Sequence, residues 1–146
     1  MRERIVVLDG AMGTLIQGHE LTEEQFRGER FAGHTRDLRG ANEVLNLTQP
    51  QIIADIHGQY LDAGADIITT NTFNGTAISL SDYGLQDLSE EINRAAGQLA
   101  RHAADAAMAR LSRCAAASDD AVDLGPDELP QAESSVPAAN AVTVPT

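Results

Sequence analysis

Two short polar runs hold the residue types that could do chemistry. Asp9-Gly10-Ala11-Met12-Gly13-Thr14 follows one apolar run, and Thr70-Asn71-Thr72-Phe73-Asn74 follows another. Asp9 offers a carboxylate that can hold a cationic amine. Gly10, Ala11 and Gly13 let backbone N–H groups approach an anion such as a carboxylate. Together they suit a zwitterion, and an α-amino acid carries that pair of charges. Thr70, Asn71 and Thr72 add hydrogen-bond donors and acceptors without charge. A plainer reading stands beside each run. Asp9-Gly10 is a tight-turn dipeptide, and Asn71 and Asn74 are residue types that cap a following helix. The first run is not the dinucleotide fingerprint, because it lacks G-x-G-x-x-G.

The remaining reactive side chains point to less. His57 and His102 fall inside helical patterns, where a solvated or core-edge ring is expected rather than a ligand. His19 and His34 lie in an irregular stretch. Cys114 is the single cysteine, so the chain holds no internal disulfide and no cysteine-rich zinc site. All ten basic residues are Arg. The lack of Lys excludes a P-loop lysine, a Schiff base and a lysine general base. The net charge of -12 disfavours nucleic acid as a partner. No run of eighteen apolar residues spans a membrane, and the opening apolar run is too short for a signal-peptide core, so the cytoplasm is the expected compartment.

The elements that must position the two polar runs read as an α/β pattern. Ile5-Val6-Val7-Leu8 is a β-branched run that suits a strand covered on both faces. Residues 17–46 show no clean period, with residues 22–27 the best candidate for a helical turn. Thr48 and Gln51 form a capping-box pattern, Pro50 suits a first turn, and Ile52, Ile53, Ile56, Tyr60 and Leu61 make a helical stripe. Gly64 can end that helix in the left-handed conformation. Ala65-Asp66-Ile67-Ile68-Thr69-Thr70 reads as a second strand. A short helix is expected at 76–82, then a capping box at Asp87 and Glu90. The long helix that follows places Leu88, Ile92, Ala95, Leu99, Ala103, Ala106 and Leu111 on one face and runs to about Arg110. Strands alternating with helices indicate a parallel sheet, which would bring both strand-exit loops to one end of the sheet. Residues 115–146 hold six acids, no base, four of the five prolines and eight alanines. Residues 113–146 are therefore expected to be a disordered Ala/Pro/acidic tail.

Several of these segments carry a resemblance. VLDGAMGTLIQ (7–17), FRGERF (26–31), NLTQPQIIADIHGQYLDAGADIITTNTFN (46–74) and DYGLQDLSEEINRAAGQLAR (82–101) resemble the homocysteine S-methyltransferase domain that opens cobalamin-dependent methionine synthases. The motifs agree in order and spacing over about residues 3–110. The resemblance implies a (β/α)8 barrel that binds homocysteine at the carboxyl ends of its strands. It implies a zinc ion held by three cysteines, which favours the substrate thiolate. It also implies methyl transfer from methylcobalamin, itself remethylated from methyl-tetrahydrofolate on other domains, to give methionine. By matching motif, Asp9 and the Gly10-Ala11 backbone would contact the amino-acid end of homocysteine, and Thr70, Asn71 and Thr72 would line the same pocket. The chain departs from the family at Thr69, where the family usually has Glu. Cys114 matches none of the family's zinc ligands.

A barrel of this type needs about 250 residues and eight strands, and this sequence supplies two strand patterns. The expected fold is thus the first two β/α units of a barrel, residues 1–112, followed by the tail. The chain reads as a truncated or frameshifted product, a fragment, or a chain whose remaining barrel and cobalamin domains another chain supplies. Alone it is expected to be inactive. The competing readings are a non-catalytic module that binds a partner or a small amino acid, and a small independent enzyme built on Asp9 and Asn71. The latter lacks any visible base–nucleophile pair.

Overall fold

The computed structural model describes residues 4–119. Six α-helices make up most of them. They are α1 (Met12–Gly18), α2 (Glu23–Arg27), α3 (Leu45–Thr48), α4 (Pro50–Asp62), α5 (Ala77–Leu80) and α6 (Ser89–Asp119). Single 3-10 turns lie at Asn42–Val44, Ser81–Tyr83 and Gln86–Leu88. No helix among the described residues is long and apolar enough to cross a membrane.

Local sequence explains most of these starts and stops. Thr22 caps α2, accepting from the Gln25 N–H, while Gln25 Oε1 accepts from the Thr22 N–H at 2.8 Å. Thr76 caps α5, its hydroxyl accepting from the Ser79 N–H at 3.2 Å. Pro50 opens α4, and Gly64 follows its end at φ 97°, a conformation that costs a side-chain-bearing residue about 1–2 kcal/mol. Thr48 does not cap α4. It ends α3, with its hydroxyl bonded to the Val44 carbonyl, and Gln49 takes the N-cap position without a side-chain bond.

The core forms where α3, α4 and α6 meet. Leu38, Ala41, Val44, Leu45, Ile53, Ile56 and Ile92 are fully buried. α6 turns a face of Ile92, Ala96, Ala100 and Ala107 inward. That face differs from the expected one. Ala106 and Leu111 are exposed, Leu111 because the helix beside it ends at Asp62. Arg110 reaches back to the Asp62 carboxylate at that point. α6 continues to Asp119, so residues 113–119, assigned from sequence to the tail, are helical. Residues 120–146 lie outside the described residues.

The expected partial (β/α)8 barrel is not present: the described residues form neither a sheet nor a barrel, and the architecture is mainly helical. The two segments read as strands, near residues 5–8 and 65–70, are extended and lie side by side in parallel, but one isolated bridge, Leu8 to Ile67, joins them. Val7 O accepts from the N–H groups of Asp66 and Ile67, and Asp9 N–H donates to Ile67 O at 2.9 Å. A strand needs a ladder, and here the single bridge is the only strand pairing either segment makes among the described residues. Their apolar side chains consequently face solvent, with Ile5 86 % exposed. An Arg4–Asp66 pair reinforces the bridge, with contacts of 2.6 and 2.8 Å. Together with the Val7 N–H, Arg4 holds the Asp66 carboxyl at a pKa of about 2.

Candidate functional site

The single bridge is enough to bring the two polar runs together. Residues 9–13 leave one extended segment and residues 69–74 leave the other, and an open cleft of about 500 Å³ lies between them. Gly10, Ala11, Thr70, Asn71 and Thr72 all line it, joined by Met12, Gly13, Thr69, Phe73 and Asn74. Its size suits a small ligand. Asp9 is not among the lining residues. Its carboxylate turns to Thr69, accepting from the backbone N–H at 2.8 Å and from the hydroxyl at 2.9 Å. Thr69 thus binds Asp9 with both of its donors.

The first wall is strained. Ala11 sits at φ 45°, ψ 28°, left-handed, where it caps α1 without a side-chain bond. A Cβ added at Gly10 would meet no protein atom within 4 Å, so the space above that backbone is open to a ligand.

The second wall is held from a segment that sequence reasoning left irregular. Asn71 is buried, and its amide nitrogen donates to the Asn42 carbonyl at 2.8 Å and to Asn46 Oδ1 at 3.3 Å. Asn46 returns a bond to the Asn71 carbonyl at 2.8 Å. Glu43, only 3 % exposed, accepts from the Asn74 N–H at 2.8 Å and lines the cleft. Beyond the loop, Ser89 and Asn93 of α6 both donate to the Gly75 carbonyl at 2.6 Å. A side chain at Gly75 would lie 2.9 Å from Asn93 Oδ1 and 3.1 Å from the Thr72 carbonyl, so Asn93 would have to move to admit one. Asn71 therefore shapes the wall rather than presenting its amide nitrogen to a ligand. Thr70 and Thr72 share one hydroxyl–hydroxyl bond of 2.8 Å, which leaves one of the two protons for a ligand.

The residues missed from sequence are Asn42, Glu43 and Asn46. A signal was there: three polar residues sit within Ala41-Asn42-Glu43-Val44-Leu45-Asn46-Leu47, a run otherwise apolar. A short polar residue flanked so closely by core residues is expected to be buried and bonded. His57 is likewise fully buried on α4, and neither ring nitrogen has a hydrogen-bond partner among the described residues. Burial holds its pKa below the ordinary imidazole range, while the Asp9 charge acts in the opposite direction.

The donor set does not fit a zinc ion. No group of three His, Cys, Asp or Glu side chains converges among the described residues, and Cys114, the one cysteine, is exposed on α6. A family model described as homocysteine S-methyltransferase matches residues 6–137. The match includes both loops of the cleft and continues past residue 110, where the motif resemblance ends.

Proposed function

The chain belongs to the homocysteine S-methyltransferase family, and from that premise we propose that the cleft binds the amino-acid end of homocysteine. In this reading the carboxylate of Asp9, which has lone pairs beyond the two that Thr69 uses, takes the α-ammonium group. The backbone N–H groups of Gly10 and Ala11 face the substrate carboxylate. Thr70 and Thr72 complete the polar lining, and Asn71 keeps the second loop in register through Asn42 and Asn46. The observation that carries the proposal is the convergence of two loops, sixty residues apart in sequence, on one small-ligand cleft.

Within the family reaction, a methyl group passes to the substrate sulfur. We assign the methylcobalamin donor and the making of methionine to this chain only as part of the same proposal. The part played by the described residues is to bind and orient the substrate; they do not fit the zinc ion.

Calorimetric titration with L-homocysteine tests the reading. One-to-one binding is expected, weakened by about 2–3 kcal/mol in Asp9→Ala through loss of a charged hydrogen-bond partner. No binding to the unaltered chain overturns the reading. An unchanged dissociation constant in Asp9→Ala removes Asp9 from it.

A further inference from the structure

Glu43 is the one carboxylate that lines the cleft, and its surroundings are unusual for a buried acid. It is 3 % exposed, and no Arg or His forms an ion pair with it among the described residues, whereas Glu23, Asp62, Asp66 and Glu91 each have an Arg partner. One oxygen, Oε1, is committed to the Asn74 N–H. The other, Oε2, takes no hydrogen bond from the described residues. It is not sealed in the core either, since the ring nitrogens of His57 are the buried side-chain atoms there without a partner. A buried carboxylate is expensive unless a cation or several donors meet it. The protein supplies a single backbone donor and leaves the second oxygen without a partner, on a residue that lines the cleft.

We infer that Glu43 is a specificity-determining contact for the substrate's α-ammonium group, with Oε2 as the accepting atom. The inference rests on the reading that the cleft binds an amino acid, and it deepens that reading. Through Oε1 the same carboxylate fixes the loop at Asn74; through Oε2 it selects ligands that bring a positive charge. The 3-10 turn at Asn42–Val44 therefore does more than brace the second wall. It adds a carboxylate to the lining of the cleft, so that an α-amino acid is preferred over a thiol acid of equal length.

The test compares L-homocysteine with 4-mercaptobutanoate, which lacks only the amino group, in calorimetric titrations of the full chain. Glu43→Gln keeps a carbonyl oxygen for the Asn74 N–H and removes the charge. In that variant the preference for homocysteine over 4-mercaptobutanoate should fall by about tenfold or more, the scale of one charged hydrogen bond. An unchanged preference, or an equal loss for both ligands, overturns the inference and leaves Glu43 a loop brace. Carbon-13 spectra of the unaltered chain give a second readout that needs no variant: the Glu43 carboxyl resonance should move with homocysteine and stay still with 4-mercaptobutanoate, and equal movement with both counts against Oε2 as the ammonium contact. Failure of the unaltered chain to bind homocysteine at all is a different outcome, and it overturns the parent reading with the inference.

Discussion

The helical body and the paired extended segments both carry Ile and Leu, and these side chains end in opposite environments. Ile53 and Ile56 on α4 have no exposed surface, while Ile5 is 86 % exposed and Leu8 57 % exposed. A helix satisfies its own backbone and needs only one apolar neighbour to bury its stripe. An extended segment needs a partner along each edge and a layer over each face. α4 finds α3 and α6; the segments near residues 5–8 and 65–70 find each other through one bridge. The cleft lies where these two kinds of structure meet. One of its walls leads out of an exposed segment, and the other is pinned to the core through Asn71, Asn46 and Glu43.

The contrast can be broken most directly by truncating a side chain on each side of it. Leu45→Ala, at a fully buried position, should lower unfolding free energy in urea by about 2–5 kcal/mol. Val7→Ala, on the half-exposed segment, should lower it by less than about 0.5 kcal/mol. Equal losses would mean that the two regions do not differ in the way described. A second measurement sharpens the contrast through pH. His57 is buried neutral with a depressed pKa. Its unfolded ring therefore binds a proton below its usual value of 6.5 that the folded ring refuses. Stability should be complete above that pH and should fall as the pH drops through it. His57→Leu should flatten this dependence in denaturation curves recorded at pH 7.5 and 5.5, and an unaltered slope would place its origin elsewhere. A modest effect of opposite sign is expected at the joint between the two regions. Ala11 is left-handed where the first extended segment passes into α1. Ala11→Gly should raise the unfolding free energy by on the order of 0.5–1 kcal/mol, read as a higher thermal midpoint, because relief of the left-handed penalty exceeds the entropy added to the unfolded chain. A lower midpoint would show that the Ala11 methyl group is needed there.

Much of this was legible in the residues themselves. The helical turn near residues 22–27, Pro50, Gly64 and the existence of the long helix α6 follow from local chemistry that a sequence displays directly, whereas the face α6 buries, through Ile92, Ala96, Ala100 and Ala107, is set by its neighbours. The two polar loops were legible too, since five of the six residues singled out line one cleft. What was not legible depends on neighbours. Ile5-Val6-Val7-Leu8 has the composition of a covered strand, but strand formation needs partners that a local pattern does not contain. Thr48 has the form of an N-cap, yet Leu45 to Thr48 closes a helical turn of its own and draws the threonine into it. The acid and proline content after residue 114 hid the helix-favouring Ala115-Ala116-Ala117, where α6 continues. Glu43 escaped notice because its significance lies in what it touches at Asn74, thirty-one residues away.

α6 spans 31 residues, about 46 Å, beside an α4 of 13 residues, about 20 Å. The link from Arg110 to Asp62 is the outermost ion pair between α6 and α4 among the described residues. The rod is thus tied down along its first two-thirds, and beyond the Arg110 link Leu111, Ser112, Arg113 and Cys114 are exposed to water. Its outer turns can unwind and rewind one after another while that link and the cleft stay undisturbed. The outer end is accordingly the place where a length of chain can be lengthened, shortened or tethered without disturbing the ligand-facing loops.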